Sequence, residues 1–370
     1  MQQIIPLEKL HVFIGHDFFI RTVLASLEVI QILHTQHIIL HESFDIGAGG
    51  DCSSGADLLT EAIFCKFFSP IYHIDSEEAG FIQGNEDALE TIILDPLDGS
   101  SNFKSNIPYY GASLALCDKN KKVREACVVN YISREISYLN DSLLEITKIP
   151  CIFDLNFLGL YVPFKDIESF YASKSQKTHH KVFLKHNSCL SYKPIDFSCL
   201  LYDYEKVLEK ENKESQKIFI QQACQKILET HQYLPSCDMN FLHEMFENKI
   251  ITYRPEQTYA TRMLECGIFE KASYHADWTK VLLQKGLKFR SLGATALSLG
   301  FSFRYLFVLL PSKVRKYDGM AGLYLAQNQI IQGNIQEYFE FIPTLTACDT
   351  HTEHIIVAAD SQIVNILSER

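Results

Sequence analysis

The feature that most constrains this chain is the segment Ile92–Phe103, in which an apolar run ends in a turn that contains two carboxylates. The apolar residues predict a short buried strand. Pro96 removes a backbone donor and fixes φ, so the chain turns sharply at that point. We therefore expect the side chains of Asp95 and Asp98 to converge just beyond the end of the strand.

Two converging carboxylates require a cation, and the ligands available in this turn are all oxygen atoms. They include the backbone carbonyl of Leu97, so the ligand set fits Mg²⁺ or Mn²⁺ better than zinc. Gly99, Ser100 and Ser101 follow directly and open a possible helix. Backbone N–H groups at a helix start favour a phosphate through both hydrogen bonds and the helix dipole.

A second acidic pair, Glu77 and Glu78, follows a predicted strand that ends at Ile74. Because it lies at the same kind of strand end, Glu77 is expected to join Asp95 and Asp98 around the ions. Glu78 is then placed to orient or deprotonate a metal-bound water.

The composition is that of an acidic globular protein. The chain has 370 residues, 47% of them hydrophobic and 21% charged, and its formal net charge is −11. This length allows two or three domains. The negative charge and the absence of a basic run argue against nucleic acid or an anionic membrane as the main partner.

Targeting and redox signals point to the cytoplasm. The sequence has no apolar run long enough to span a bilayer, and Met1–Leu10 lacks the features of a signal peptide. The eleven cysteines include no CxxC pair, which favours reduced thiols over a disulfide framework or a zinc site.

Hydrophobic periodicity divides the chain into three predicted parts. We expect an N-terminal α/β lobe over 1–150 that binds metal and phosphate, an irregular insertion over 151–235, and a C-terminal α/β lobe over 236–370. Predicted helices cover 12–34, 56–68, 239–249, 319–327 and 361–368, and predicted strands cover 71–74, 91–94, 112–116, 126–131, 305–310 and 354–359.

The string DPLDGSSN from Asp95 to Asn102 resembles a motif of the fructose-1,6-bisphosphatase and inositol monophosphatase superfamily of Mg²⁺-dependent phosphomonoesterases. The Ser-Glu-Glu that begins at Ser76 and the helical segment Asp57-Leu58-Leu59 are similar to the same family. Further similar segments are Ala126–Leu139, Arg290–Ala294, Tyr317–Gly322 and Ile355–Asp360. The resemblance covers roughly residues 12–140 and 236–368, and it implies an α/β fold, the layered αβαβα sandwich.

The resemblance also implies roles for individual residues. The metal ligands it implies are Glu77, Asp95, the Leu97 carbonyl, Asp98 and Asp318. Asp57 would polarise the Ser100 hydroxyl or a nearby water, and the backbone of Gly99–Ser101 would hold the phosphate. Two or three Mg²⁺ ions, or Mn²⁺ as a substitute, would activate water and neutralise the phosphoryl group, and Glu78 or the Asp57/Ser100 pair would accept the proton.

The substrate is less clearly indicated, because the motifs resemble two branches of the family. Lys313 and Arg315 resemble the bisphosphatase branch and could hold a second phosphate. Arg290–Gly293 and the use of Asp318 resemble the inositol branch, although Tyr317 replaces its tryptophan.

We rank fructose-1,6-bisphosphate slightly ahead of inositol phosphate and place 3′-phosphoadenosine-5′-phosphate third. A catalytically silent scaffold or regulator is the non-enzyme alternative. The expected partner is a small phosphate ester, and members of the family are often homo-oligomers.

Overall fold

The computed structural model describes residues 10, 12–147, 149–156, 197–202, 213–233, 237–254, 264–311, 314–333, 354–358 and 360–368. The helices are α1 (His16–His34), α2 (Gly55–Phe68), α3 (Ser100–Lys104), α4 (Asp141–Leu144), α5 (Phe197–Tyr202), α6 (Lys213–Glu229), α7 (Met239–Glu247), α8 (Ala276–Gln284), α9 (Thr295–Gly300), α10 (Lys316–Ala326) and α11 (Ser361–Ser368).

The strands are β1 (Ser43–Ile46), β2 (Cys52–Ser54), β3 (His73–Ser76), β4 (Gly80–Ile82), β5 (Thr91–Asp98), β6 (Gly111–Cys117), β7 (Val123–Asn130), β8 (Glu135–Asn140), β9 (Cys151–Leu155), β10 (Ile251–Arg254), β11 (Cys266–Phe269), β12 (Lys288–Arg290), β13 (Phe307–Leu310), β14 (Ile330–Gln332) and β15 (Ile355–Ala358).

These strands form two large sheets and a small two-stranded ribbon of β1 and β2. The larger sheet has eight strands in the order β10-β9-β8-β7-β6-β5-β3-β4, and the smaller has five in the order β12-β11-β13-β15-β14. In the larger sheet β3 and β5 are parallel, whereas β5 to β10 are joined by antiparallel pairs. In the smaller sheet β11 is parallel to both β12 and β13.

Helices cover both faces of each large sheet. Helices α1 and α2 pack on one face of the eight-stranded sheet, and α9 and α10 pack on the other. Alternate residues of β13 and β15 point to opposite sides, as the period of two in a strand requires. Val308 and Val357 join the main core with α9 and α10, whereas Leu309 and Ile356 join a second core with α8 and α11. The predicted αβαβα sandwich is confirmed.

Among the described helices, none combines the length and the apolar character that crossing a membrane needs.

Several element boundaries differ from the sequence predictions in ways that affect the site. Strand β3 ends at Ser76 rather than Ile74, and β5 continues to Asp98. Helix α10 begins at Lys316, three residues before the predicted start, so Asp318 lies in its first turn rather than before it. Pairing with neighbouring strands continues β3 and β5 through polar residues. Strands predicted from apolar runs alone therefore end too early.

The three predicted segments do not coincide with the two sheets. Strand β9 lies in the predicted insertion, and β10 lies in the predicted C-terminal lobe, yet both belong to the eight-stranded sheet. Each is short and joins by antiparallel pairing to its neighbour. Edge pairing between distant segments leaves no mark in local composition, which explains the difference. Most of the predicted insertion, and Lys313, lie outside the described residues.

Candidate metal centre

A β-bulge brings the two aspartates of the turn to one face of the sheet. Asp95 pairs with Ser113 and Asp98 pairs with Gly111, and the register shifts between the two pairs. Two residues of β5 therefore oppose a single residue of β6. Residues i and i+3 of a regular strand point to opposite faces, and one extra residue reverses this. Both carboxylates consequently face α9 and α10.

Two hydrogen bonds fix the bulge. The backbone N–H of Leu97 donates to Asp95 Oδ1 at 2.9 Å, and the buried Tyr131 hydroxyl donates to the Pro96 carbonyl at 3.0 Å. Proline suits this position because it has no N–H to leave unpaired in the bulge.

Glu77, Asp95 and Asp318 meet at the end of β5. One carboxylate oxygen from each lies within 4.8 Å of the others, all three residues are buried, and they form the only such cluster found among the described residues. Glu77 directly follows β3, and since β3 and β5 are parallel, their carboxyl ends share one edge of the sheet. Asp318 approaches from the first turn of α10. Three elements therefore build the cluster.

Asp98 lies beside this cluster and is tied to the second half of the chain. Its Oδ2 atom accepts a hydrogen bond of 3.0 Å from the backbone N–H of Leu297 in α9. Burial, reinforced by the charge of Asp318, raises the pKa of Asp98 well above its ordinary value.

The electrostatics of the cluster favour a bound cation. Burial, followed by the charge of Glu77, raises the pKa of Asp95 well above its ordinary value. Burial and Asp318 together raise the pKa of Glu77 to about 7. Asp95 Oδ2 is buried and has no hydrogen-bond partner among the described residues. An all-oxygen set of crowded carboxylates with an unpaired oxygen fits a hard divalent cation such as Mg²⁺.

Arg315 is a cation that the chain itself places against these acids. Its Nη1 atom lies 2.5 Å from Glu77 Oε1 and 2.9 Å from Asp51 Oδ2, and its Nε atom lies 3.1 Å from Asp318 Oδ2. These contacts join Arg315 to the predicted metal ligands, whereas its resemblance to the bisphosphatase branch predicts a contact with substrate phosphate. Phosphate binding by Arg315 stays a prediction.

The start of α10 is anchored by a separate buried pair. Lys316 Nζ lies 2.5 Å from Asp75 Oδ2, and the Tyr317 hydroxyl donates to Asp75 Oδ1 at 2.9 Å. Asp75 belongs to β3, so these bonds fix the first turn of α10, and with it Asp318, against the strand that precedes Glu77.

Glu78 directly follows Glu77 and lies close enough to Asp57 for the charge of Asp57 to act on it. Glu78 accepts a short hydrogen bond from the Ser53 hydroxyl, and burial together with the charge of Asp57 raises the pKa of Glu78 to about 8. Asp57 completes a capping box at the start of α2, where it accepts hydrogen bonds of 2.7 Å from both the backbone and the hydroxyl of Ser54. Among the described residues its hydrogen-bond partner is Ser54 rather than Ser100.

The predicted phosphate turn depends on a glycine. Gly99 has a φ of +88°, in the left-handed region, and a Cβ there would lie 3.0 Å from the Tyr109 carbonyl. This conformation directs the chain from β5 into α3, with Ser100 and Ser101 in its first turn. The backbone N–H groups of Ser100 and Ser101 thus follow Asp98 after the single residue Gly99.

Sequence reasoning missed the contacts that close the site from the C-terminal half. Besides the Leu297 bond to Asp98, the Asn102 side-chain amide donates to the carbonyls of Tyr109 and Leu292 at 2.7 Å each. Asn102 lies in the motif, but its partner Leu292 is 190 positions away. No local signal could have identified that pairing.

Curated relatives match parts of this chain. The Nus factor SuhB of Vibrio cholerae is 29% identical over 160 residues, 40% of this chain and 54% of the relative. The fructose-1,6-bisphosphatase of Pyrococcus furiosus is 30% identical over 113 residues, 28% of this chain and 44% of the relative. The chain thus spans about half the length of these curated relatives. No family model matches the chain.

Solved structures extend the similarity to the whole fold. The fructose-1,6-bisphosphatase of Leishmania major superimposes with a TM-score of 0.58 and 12% identity, covering 100% of this chain and 98% of that one. At this identity the superposition shows the shared fold. In its αβαβα layers, its acidic turn and these partial sequence matches, the chain is similar to fructose-1,6-bisphosphatases and inositol monophosphatases.

Proposed function

We propose that this protein is a Mg²⁺-dependent phosphomonoesterase that hydrolyses a small sugar or polyol phosphate. The observation that supports this most directly is the convergence of Glu77, Asp95 and Asp318, buried and within 4.8 Å of one another. Asp98 and the Gly99 turn are directly adjacent, so a cation site and a phosphate site would share one edge of the sheet.

The proposed reaction divides the work among the residues of this edge. Mg²⁺ would be held by Glu77, Asp95, the Leu97 carbonyl, Asp98 and Asp318. When bound, the ion supplies an acidic water and neutralises charge on the phosphoryl group. The N–H groups of Gly99–Ser101 would orient the phosphate, and Glu78 would accept a proton. The raised pKa of Glu78 makes its carboxylate a stronger base than an ordinary glutamate.

Fructose-1,6-bisphosphate and inositol-1-phosphate carry equal weight as substrates on the present observations. The case for the bisphosphate included Arg315 as a ligand of a second phosphate, but its guanidinium is engaged by Glu77, Asp318 and Asp51. The case for inositol-1-phosphate includes Asp318, which belongs to the acidic cluster. Either ester presents one phosphate to the same turn.

The test is release of inorganic phosphate with Mg²⁺ or Mn²⁺ from fructose-1,6-bisphosphate, inositol-1-phosphate and 3′-phosphoadenosine-5′-phosphate. Asp98→Asn is the site variant, and Asp87→Asn, at an exposed position, is the matched control. We expect release from one ester that Asp98→Asn lowers at least about a hundredfold and Asp87→Asn leaves unchanged. Equal rates in both variants would contradict the metal mechanism.

A non-catalytic regulator is the second candidate, and one observation favours it. The relative from Vibrio cholerae bears the name Nus factor, which states no reaction. A regulator that retains the acidic site would bind Mg²⁺ and release no phosphate from any ester. The same assay, run beside calorimetric Mg²⁺ titration, therefore separates the two functions. Homo-oligomer formation stays a prediction under both.

A further inference from the structure

Glu270 is a buried carboxylate that the proposed reaction does not use. It directly follows β11, where its backbone N–H donates to the Leu309 carbonyl of β13 at 3.1 Å, and the residue is 2% exposed. Burying a carboxylate costs free energy unless its oxygens receive hydrogen bonds. Its partners therefore indicate what the residue does.

Both carboxylate oxygens bind the segment that leads into α9. Oε2 accepts 2.9 Å from the backbone N–H of Gly293, and Oε1 accepts 2.5 Å from the hydroxyl of Ser298. Gly293 has a φ of +76°, so its N–H is presented by a turn conformation that favours glycine. One carboxylate thus holds α9 both before its first turn and within it.

The same segment also contacts residues at the proposed metal centre. Leu297, next to Ser298, donates its N–H to Asp98 Oδ2 at 3.0 Å, and Asn102 binds the Leu292 carbonyl at 2.7 Å. A continuous series of short bonds therefore runs from Glu270 through α9 to Asp98.

We infer that Glu270 is a positioning residue, which fixes α9 through its two hydrogen bonds so that the Leu297 amide holds Asp98 in the orientation that binds metal. The inference rests on the proposed function for its effect on Mg²⁺, and on geometry alone for its effect on α9. Hydrogen-bond partners of metal ligands typically alter metal affinity by about 10- to 100-fold when removed.

The test compares four variants by calorimetric Mg²⁺ affinity and by hydrogen exchange of peptides covering Thr295–Gly300. Glu270→Leu and Ser298→Ala break the link. Glu270→Gln keeps the shape and can still accept from Gly293 while the Ser298 hydroxyl rotates to accept from it. Ser137→Ala is the matched control, because the Ser137 hydroxyl donates 2.8 Å to Gly300 at the far end of the same helix.

We expect Glu270→Leu and Ser298→Ala to weaken Mg²⁺ binding by about tenfold and to speed exchange at the start of α9. Glu270→Gln should stay within about twofold of the wild type, and Ser137→Ala should retain full affinity. A uniform loosening of α9 would lower affinity in Ser137→Ala as well, and that result would overturn the inference.

Two other outcomes would also overturn it. If Glu270→Leu leaves both affinity and exchange unchanged, the link has no effect on Asp98. If Glu270→Gln is as weak as Glu270→Leu, the residue acts through its charge and not through positioning. Failure of the wild-type protein to bind Mg²⁺ would instead contradict the proposed function, and the exchange measurement would still decide whether Glu270 fixes α9.

Discussion

At the scale of single residues, two features determine the charge of the acidic centre: the bulge in β5 and the guanidinium of Arg315. Pro96 and Leu97 occupy the bulge that turns Asp95 and Asp98 to one face. Arg315 then neutralises part of this cluster from within the chain. A divalent ion bound as proposed would therefore compete with the guanidinium at Glu77 and Asp318.

This competition predicts that Arg315→Ala increases Mg²⁺ affinity. The ion would no longer displace Arg315 from Glu77 and Asp318, and we expect a gain on the order of tenfold, equivalent to about 1.4 kcal/mol. Calorimetric titration measures it. Arg124→Ala is the control, because Arg124 also pairs with two aspartates, at the surface. Weaker binding by Arg315→Ala would mean that the guanidinium orients the ligands instead of competing.

The raised pKa of Glu77 predicts a pH dependence of metal binding. The pKa of about 7 means that a proton competes with the ion below that pH. Mg²⁺ affinity should therefore rise as pH increases through about 7.

In the metal-free protein, the contribution of Glu77 to the free energy of unfolding should fall as pH rises. A carboxyl group whose folded pKa is raised stabilises the fold fully below its unfolded pKa, and that contribution is lost as pH rises through about 7.

Titration calorimetry of Mg²⁺ binding between pH 5.5 and 8.5, in buffers of different ionisation heat, would detect the proton that Glu77 releases when the ion binds. Affinity that is constant across this range would contradict the assignment of Glu77.

At the scale of elements, Asp57 in the first turn of α2 both caps the helix and lies near the acidic site. The Ser54 side chain accepts from the Asp57 N–H, and Asp57 accepts from the Ser54 N–H in return. The same capping box holds Asp57 near Glu78, and the charge of Asp57 helps to raise the pKa of Glu78.

Ser54→Ala should therefore destabilise the fold by about 1 kcal/mol, the usual effect of losing an N-cap. Urea unfolding measures this change. Ser69→Ala, at the C-cap of the same helix, serves as the control and should change the free energy of unfolding by less than about 0.5 kcal/mol. Equal effects at both ends would show that the capping box contributes little.

A buried ion pair joins α1 to α2 and gives a second prediction at this scale. Lys66 Nζ lies 2.7 Å and 2.8 Å from the two oxygens of Glu28, and both side chains are 1% exposed. Lys66→Met alone leaves a buried charge and should cost about 3–5 kcal/mol of unfolding free energy.

The double variant Glu28→Leu with Lys66→Met removes both charges and should recover most of that loss. Thermal or urea unfolding of the two variants measures the difference. A double variant as unstable as the single one would indicate that the pair contributes through packing rather than charge.

At the scale of the whole molecule, the site lies between the eight-stranded sheet and the layer formed by α9 and α10. Its acids come from β5, from α10 and from the residue that directly follows β3, and Asp98 is held by α9. An ion bound there should therefore stabilise the whole molecule rather than one element. At a Mg²⁺ concentration of about 100 times the Kd, the gain should be about 2.7 kcal/mol.

Calorimetric unfolding with increasing Mg²⁺ tests this expectation. Asp98→Asn should abolish most of the upward shift in Tm, and Asp87→Asn should retain it. A Tm that does not respond to Mg²⁺ in the wild-type protein would argue against a divalent ion at this centre.

The sequence by itself determined the local elements and the acidic motif. The strand before Asp95, the helix over 56–68 and the turn that contains Gly99 depend on neighbouring residues, and the resemblance of the motif implies the layered fold. Apolar runs alone predict too short a β5, because its extension to Asp98 depends on pairing with the partner strand.

Tertiary structure alone decided which distant groups meet the motif. The Leu297 N–H lies 199 positions from Asp98, and Arg315 reaches Asp51 across 264 positions. Likewise, β9 and β10 join the first sheet from segments that composition assigned elsewhere. These contacts depend on how the sheets and helices pack, and packing between distant segments leaves no local pattern of residue type or spacing from which it could be predicted.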